Sequence, residues 1–242
     1  MSANSSAVLQ DQHVVVVGGT SGMGQGIARA ALAAGASVVV AGRRPIAERT
    51  DLGERARHAV LDILDEAALR ALFDGLATLD HVVVTAAPAS GAGQSLLAGD
   101  TAAYLRYVDD KLRGSLAVAR WAAPRLRAGG SITFLTGAAK PRAGVASVAF
   151  AAVEALGKTL AVELAPCRVN TIRPGLVDSE MWSFLDEKAR QAVFDKARTQ
   201  FPARRIGTPA DIGSAAVFVM SNPYVTGSVI EITGGEHLVD AF

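Results

Sequence analysis

Four consecutive valines, Val14–Val17, open a pattern that recurs along the whole chain: short runs of apolar and β-branched residues with no polar alternation, separated by longer stretches of helical periodicity. A strand with one wet face alternates apolar and polar residues, so an unbroken apolar run belongs to a strand covered on both faces, the condition of a parallel sheet. The runs predict strands over His13–Val17, Ser37–Ala41, Arg57–Leu61, His81–Thr85, Ser131–Leu135, Arg168–Ile172 and Ser228–Ile232. Helical patterns fall between them at Gly26–Ala34, Glu66–Ala77, Thr101–Arg127, Ser147–Leu164 and Ala210–Met220. Right-handed crossovers between such strands give an α/β fold, a doubly wound parallel sheet of about seven strands with helices on both faces. Ligands of such a sheet bind beyond the carboxyl ends of its strands. No linker or repeat divides residues 1–242, so one domain is expected. Residues 1–12 form a polar extension, a short polar connection lies at Arg43–Glu54, and residues 179–201 form a helical lid carrying Met181, Trp182, Phe184 and Phe194.

Composition narrows the function. The 24 Lys+Arg against 23 Asp+Glu, with no block of like charge, give no electrostatic reason to expect nucleic acid or an anionic membrane. The single Cys167 cannot close an internal disulfide, and His13, His58, His81 and His237 lack metal-ligand spacing. The first residues carry no basic region followed by an apolar core, and no apolar run approaches bilayer length. A cytoplasmic, metal-free protein is expected.

After the first strand comes Gly18-Gly19-Thr20-Ser21-Gly22-Met23-Gly24, whose glycines allow tight turning ahead of a helix with free N-terminal amides, the context in which a glycine loop holds a pyrophosphate. The second strand ends in Gly42-Arg43-Arg44, where dinucleotide folds read the adenosine ribose. An acid there selects the 2′-hydroxyl, but two guanidiniums fit a 2′-phosphate, so NADP(H) is expected over NAD(H).

With these motifs in order, the chain resembles the short-chain dehydrogenase/reductase family from about His13 to His237, which implies a Rossmann-like fold. Gly18-x-x-x-Gly22-x-Gly24 looks like its glycine motif. Asp62-Ile63 stands where the family binds adenine, and Pro174-Gly175-Leu176-Val177-Asp178-Ser179 resembles its Pro-Gly motif. The resemblance implies cofactor contacts from Gly18, Thr20, Ser21, Gly22, Met23, Arg43, Arg44, Asp62, Ile63, Ala86, Glu154, Pro174, Gly175, Val177 and Ser179. The Val177 backbone and Ser179 hydroxyl would take the nicotinamide carboxamide. Asn170, Arg205-Ile206-Gly207-x-Pro209-x-Asp211 and Thr226-Gly227…Gly234-Gly235 also look like family landmarks, whereas Val84-Thr85-Ala86-Ala87 departs from the usual Asn-Asn-Ala-Gly and is expected to loosen the central strand's packing.

The catalytic half departs further. The family's Tyr, Lys, Ser and Asn positions hold Phe150, Glu154, Gly137 and Lys111. Phe150 has no proton to give and Gly137 no hydroxyl to polarise a carbonyl. Catalytic candidates are therefore Glu154, Lys111 and Thr136. Glu154 would face the nicotinamide ribose or act as a buried acid, unless it simply pairs with Lys158 one turn on. Lys111 would move a proton if buried and is otherwise a solvated helix residue. Thr136 offers a hydroxyl to substrate or cofactor, or caps local backbone. Lys140 and Arg142 would meet an anionic substrate or merely charge a loop, and Trp182 and Phe184 would wall an apolar substrate or pack the lid.

Two functions stay open: an NADP(H)-dependent oxidoreductase of this type with an atypical active site, reducing an imine, iminium or activated double bond of a small apolar or cyclic molecule; or a non-redox nucleotide-binding protein, such as a cofactor sensor, assembly subunit or cyclase-like pseudoreductase. The resemblance also implies a homotetramer or homodimer packed through the Thr101–Arg127 and Ser147–Leu164 helices.

Overall fold

The computed structural model describes residues 7–43, 52–86, 96–97, 99–137 and 144–239. Seven strands form one parallel sheet: β1 (His13–Val17), β2 (Ser37–Gly42), β3 (Ala56–Val60), β4 (Leu79–Val84), β5 (Leu126–Leu135), β6 (Arg168–Pro174) and β7 (Val229–Ile232). Their order is β3-β2-β1-β4-β5-β6-β7, so the winding reverses between β1 and β4. That reversal opens the crevice in which doubly wound sheets bind ligands. The helices are α1 (Gly22–Ala33), α2 (Glu66–Asp74), α3 (Thr101–Ala122), α4 (Val145–Glu163), α5 (Glu187–Gln200) and α6 (Pro209–Ser221).

The valine runs explain the layering. Successive side chains of a strand point to opposite faces. Val14, Val16, Val38 and Val40 accordingly pack with Ile27, Ala31, Ile212 and Val219 under α1 and α6. Val15, Val17, Val82 and Val84 pack with Phe73, Val118, Phe134 and Val153 under α2, α3 and α4. The third strand is the exception: it is an edge, and Arg57 and His58 are exposed on it.

Three expectations change. The long helix from Thr101 ends at Ala122, not Arg127. Pro124, in the short 3-10 turn Ala123–Arg125, lacks the N–H that would continue it, and β5 begins at Leu126. The first helix starts at Gly22, directly on the glycine loop. One described helix, α4, is long and apolar enough to cross a membrane by length and composition, contrary to the expectation that no such run exists. Here Val153, Gly157 and Leu160 of α4 are buried, and Gly157 admits Thr171 of β6 against the helix backbone. The polar connection after β2 falls largely on residues 44–51, outside the described residues.

Thr85 anchors the reversal instead of loosening it. The backbone N–H groups of Thr85 and Ala86 both donate to the Val17 carbonyl at 2.8 and 3.2 Å, and the Thr85 hydroxyl donates to the same oxygen at 3.3 Å.

The amino ends of the central strands are held by a buried imidazole. His81 is bonded to Ser131 Oγ through Nδ1 at 2.8 Å and to Gln12 Oε1 through Nε2 at 2.7 Å. Gln12 Oε1 can only accept, so Nε2 carries the proton and Nδ1 accepts from Ser131, the neutral form. Burial, aided by the Arg168 charge, lowers the His81 pKa from 6.5 to about 4. The unfolded chain therefore takes up this proton first as pH falls, so the stability held by neutral His81 is complete above pH 6.5 and declines between 6.5 and about 4. Urea unfolding at pH 7.5 and pH 4.5 should show a loss of about 2–3 kcal/mol that His81→Asn largely abolishes; an equal pH dependence in the variant would contradict this role.

Candidate active site

The loops at the carboxyl edge converge on the β1/β4 crevice. Gly18 takes φ +93°, open to glycine, and a Cβ there would lie 2.6 Å from the Ala86 nitrogen. The loop between β1 and α1 thus lies directly on the chain leaving β4. Ser21 sits at the N-cap of α1 with extended backbone and a hydroxyl that takes no part in capping, so the first amides of α1, from Gly22 onward, have no partner within the helix. Met23 packs into the α1/α6 core. Thr20 lies against Gly42 at the end of β2, beside the exposed Arg43. Arg44 lies outside the described residues. Asp62, just past β3, accepts the Leu64 N–H at 3.0 Å, and Ile63 packs on Gly114 of α3.

On the far side of the crevice the Pro174–Ser179 loop leaves β6. Gly175 N–H donates to Ile232 O at 3.0 Å, and Leu176 N–H donates to the buried Glu236 carboxylate at 2.7 Å. A Cβ at Gly22 would lie 3.6 Å from Ser179 Cβ, so the first and last cofactor motifs face each other. Ser179 Oγ is buried with no hydrogen-bond partner among the described residues. A buried hydroxyl left unpaired is costly and points to a polar ligand. Together with the glycine cradle and the unpaired α1 amides, it fits a dinucleotide.

The chemical centre lies between β5, α3, α4 and β6. Lys111 is 4% exposed. Its Nζ donates to Ala86 O at 2.7 Å and Leu135 O at 3.3 Å, carbonyls at the carboxyl ends of β4 and β5. Burial lowers its pKa from 10.5 to about 8. It is not the solvated lysine of an outer helix face.

Glu154 does not pair with Lys158. Arg173, from β6, clasps it with two parallel bonds, Nε to Oε1 at 2.9 Å and Nη2 to Oε2 at 2.6 Å. Bidentate pairing of this kind is the geometry of an ionised carboxylate. Thr136 Oγ1 donates to the same Oε1 at 3.3 Å. Arg173 also bonds Glu231 of β7, which His237 approaches at 3.2 Å. Hydrogen bonding from Glu154, then its charge, holds the Arg173 pKa above its ordinary value.

Gly137 and Phe150 form an apolar pair. A Cβ at Gly137 would lie 2.7 Å from Phe150 Cε2, so the ring occupies the space a side chain at position 137 would need. Trp182 donates its indole N–H to Val177 O at 2.9 Å and packs edge-on against Phe194 of α5, with centroids 6.5 Å apart at 84°. The side chain of Phe184 and both Lys140 and Arg142 lie outside the described residues. Asn170 and the Arg205–Asp211 pair are architectural. Asn170 bonds Val225 O and Ser228 N–H, and Arg205 grips Asp211 within the capping box of α6.

Sequence reasoning missed Arg173, Glu231 and His237. The available signal was an arginine at the carboxyl end of the sixth strand, immediately before Pro174-Gly175.

Residues 17–237 match a family model described as "Enoyl-(Acyl carrier protein) reductase". The short-chain dehydrogenase/reductase ucsE of Acremonium sp is 32% identical over 97% of this chain and 98% of its own length. A crystal structure of a small-chain dehydrogenase in complex with NADPH superposes with a TM-score of 0.83 at 32% identity, covering 95% of this chain and all of the other. An apo structure of a short chain oxidoreductase from Pseudomonas aeruginosa PAO1, described as containing an atypical catalytic center, gives a TM-score of 0.82 at 28% identity over 93% of this chain and 97% of its own.

The Glu154–Arg173 pair has side chains only 12% and 25% exposed, so removing either partner strands the other's charge. In a double-mutant cycle, Glu154→Gln and Arg173→Gln should each destabilise by about 1–3 kcal/mol, and the double variant by at least about 1 kcal/mol less than their sum. Additive losses in urea unfolding would show that the pair is not coupled.

Proposed function

The chain belongs to the short-chain dehydrogenase/reductase family of oxidoreductases, and from that premise we propose that it is a cytoplasmic, NADP(H)-dependent reductase whose substrate is a small apolar or cyclic imine, or a comparably activated double bond. The observation that carries this reading is the Gly137–Phe150 contact, which puts hydrocarbon where the family's Ser and Tyr hydroxyls would serve an alkoxide. A carbonyl reduced there would leave an anion without its usual donor. An imine makes no such demand. Once protonated it is a cation, and accepting a hydride turns it into a neutral amine.

The cofactor half supports NADP(H): Arg43 beside Thr20 for the 2′-phosphate, the α1 amides for the pyrophosphate, and Val177 with Ser179 for the carboxamide. Bound reduced nicotinamide would supply the hydride. Lys111 supplies the proton. Two of its three N–H groups are committed to Ala86 O and Leu135 O, and the third is left for the substrate nitrogen. A pKa of about 8 keeps it protonated at neutral pH yet close enough to neutrality to give the proton up.

Glu154 serves as a carboxylate and not as an acid, because Arg173 occupies both of its oxygens. Glu154, Arg173 and Glu231 carry two negative charges and one positive. With the Lys111 ammonium the charges of the site balance, and the clasp sets the Glu154 oxygens for the ribose hydroxyls. The half-exposed hydrophobics Leu116 on α3 and Val148 on α4, with Leu105 and Val162 more exposed still, support a homodimer or homotetramer.

Calorimetric titration should show NADPH binding at least about tenfold tighter than NADH, with Arg43→Ser weakening NADPH alone. With cyclic imines, NADPH oxidation should fall as pH rises through about 8, because the Lys111 ammonium is the active form. Lys111→Met should lower turnover about 100-fold or more while leaving NADPH affinity within a few fold. Tight binding without turnover on any imine, enone or quinone would replace this reading with the non-redox one. Light scattering that finds a monomer at micromolar concentration would overturn the assembly.

A further inference from the structure

A second concavity lies at the amino edge of the sheet, opposite the crevice described above. β2 is an interior strand flanked by β1 and β3. Even so, Ser37 and Val39 on it are only partly buried, whereas Val38, Val40 and Ala41 are covered. The cause is the length of the helix above them. Val39 faces the side of the sheet that α2 covers, and Ser37, two residues earlier, shares that face. α2 ends at Asp74 after nine residues, and the chain turns through Gly75 into β4 before the helix reaches the amino ends of β1 and β2. A groove of about 200 Å³ is left under the Gly75–Leu79 turn, small beside the roughly 300–1,000 Å³ of pockets that take drug-sized ligands.

The groove is apolar on its floor and basic on its rim. Val15, Val39, Leu76 and Leu79 line it, and so do His13, Arg55 and Arg57, with no Asp or Glu among the lining residues. The cations differ in what they already hold. Arg55 Nη2 donates to Leu32 O at 3.0 Å, and His13 Nδ1 meets Thr78 Oγ1 at 3.1 Å, tying β1 to the roof of the groove. Arg57 is paired laterally with Val39, so its side chain leaves the sheet on the face of the groove. Among the described residues it has no hydrogen-bond or ion-pair partner. The helix end above brings only part of its usual negative charge, because the Ala71 and Phe73 carbonyls are capped by the N–H groups of Gly75 and Leu76.

We propose that this groove is a second ligand site, for a small carboxylic acid with a short aliphatic body, bound independently of the cofactor. The paired N–H donors of a guanidinium match a carboxylate, and Arg57 is left to receive it. The hydrocarbon then covers Val39 and Leu76, which the short α2 leaves partly in water. Inorganic phosphate would gain only the first interaction, and a neutral alcohol only the second. Across the five residues of β1, the groove lies about 15 Å from the carboxyl-edge crevice, so a bound acid does not touch the cofactor.

Hexanoate, hexanol and hexylamine are titrated into the whole protein by ligand-detected NMR, with and without saturating NADPH. Hexanoate should bind with a Kd of about 1 mM or tighter. Hexanol should bind at least about tenfold more weakly, and hexylamine not at all. NADPH should leave the hexanoate affinity within about twofold. Arg57→Gln changes an exposed edge position and no core contact. It should weaken hexanoate about tenfold or more, as expected for a lost charge-assisted pair, and leave NADPH binding unchanged. Arg57→Lys, which keeps the charge without the fork, should fall between the two. No binding of hexanoate at about 10 mM, equal binding of hexanol, or undiminished binding to Arg57→Gln overturns the proposal. Displacement of hexanoate by NADPH would place it in the cofactor crevice and overturn the proposal equally, while leaving the reading of that crevice intact.

Discussion

The close approach of the glycine loop to the start of the β4 exit sets the geometry of everything at the carboxyl edge of the sheet. A Cβ at Gly24 would stand 2.7 Å from Thr85 Oγ1, and one at Gly18 would stand 2.6 Å from the Ala86 nitrogen. With no room for side chains, the first turn of α1 is pulled down onto the crevice where the winding reverses. The Ala86 carbonyl, fixed by the Ala86 N–H on Val17 O, is then in place to hold the Lys111 ammonium. Backbone packing at one edge of the crevice thus determines where the buried Lys111 can lie.

The opposite edge is held by charge. Arg173 joins α4 to β6 through Glu154, joins β6 to β7 through Glu231, and comes immediately before the Pro174-Gly175 turn that starts the cofactor loop. Glu236 continues this bracing by accepting the Leu176 N–H from the chain that follows β7. The loop expected to read the nicotinamide is therefore clamped from the sheet side by carboxylates and from the lid side by Trp182.

Much of the fold was legible because its causes are local. Unbroken valine runs specify covered strands, and the glycine loop between a strand and a helix specifies a nucleotide crevice whatever the rest of the chain does. The end of α3 was misplaced because apolar periodicity continues past Ala122, and only the missing N–H of Pro124 stops the helix. Cofactor residues could be named because they lie in contiguous motifs. The chemical centre resisted because its decisive contacts join distant elements: Glu154 and Arg173 are 19 residues apart on a helix and a strand, and the i,i+4 rule pointed instead to Lys158. Nor does sequence spacing reveal that Lys111 is buried, since a lysine on a long helix looks solvated until the facing strand ends are in place.

The substitutions at the site hang together electrostatically and sterically. An ammonium at position 154 would face the Arg173 guanidinium, a like-charge contact that repels where the present carboxylate attracts. A lysine there would forfeit the Arg173 clasp, and Arg173 is the partner that the carboxylate at position 154 uses. The steric half works the same way: a side chain at Gly137 would collide with the Phe150 ring, so hydroxyls could not be restored at the two positions without displacing the ring. The Gly137–Phe150 contact and the Glu154–Arg173 clasp thus tie four residues of the site into two interlocking pairs. The site has Gly137 packed on Phe150 and Glu154 clasped by Arg173, and the buried Lys111 is held by the Ala86 and Leu135 carbonyls.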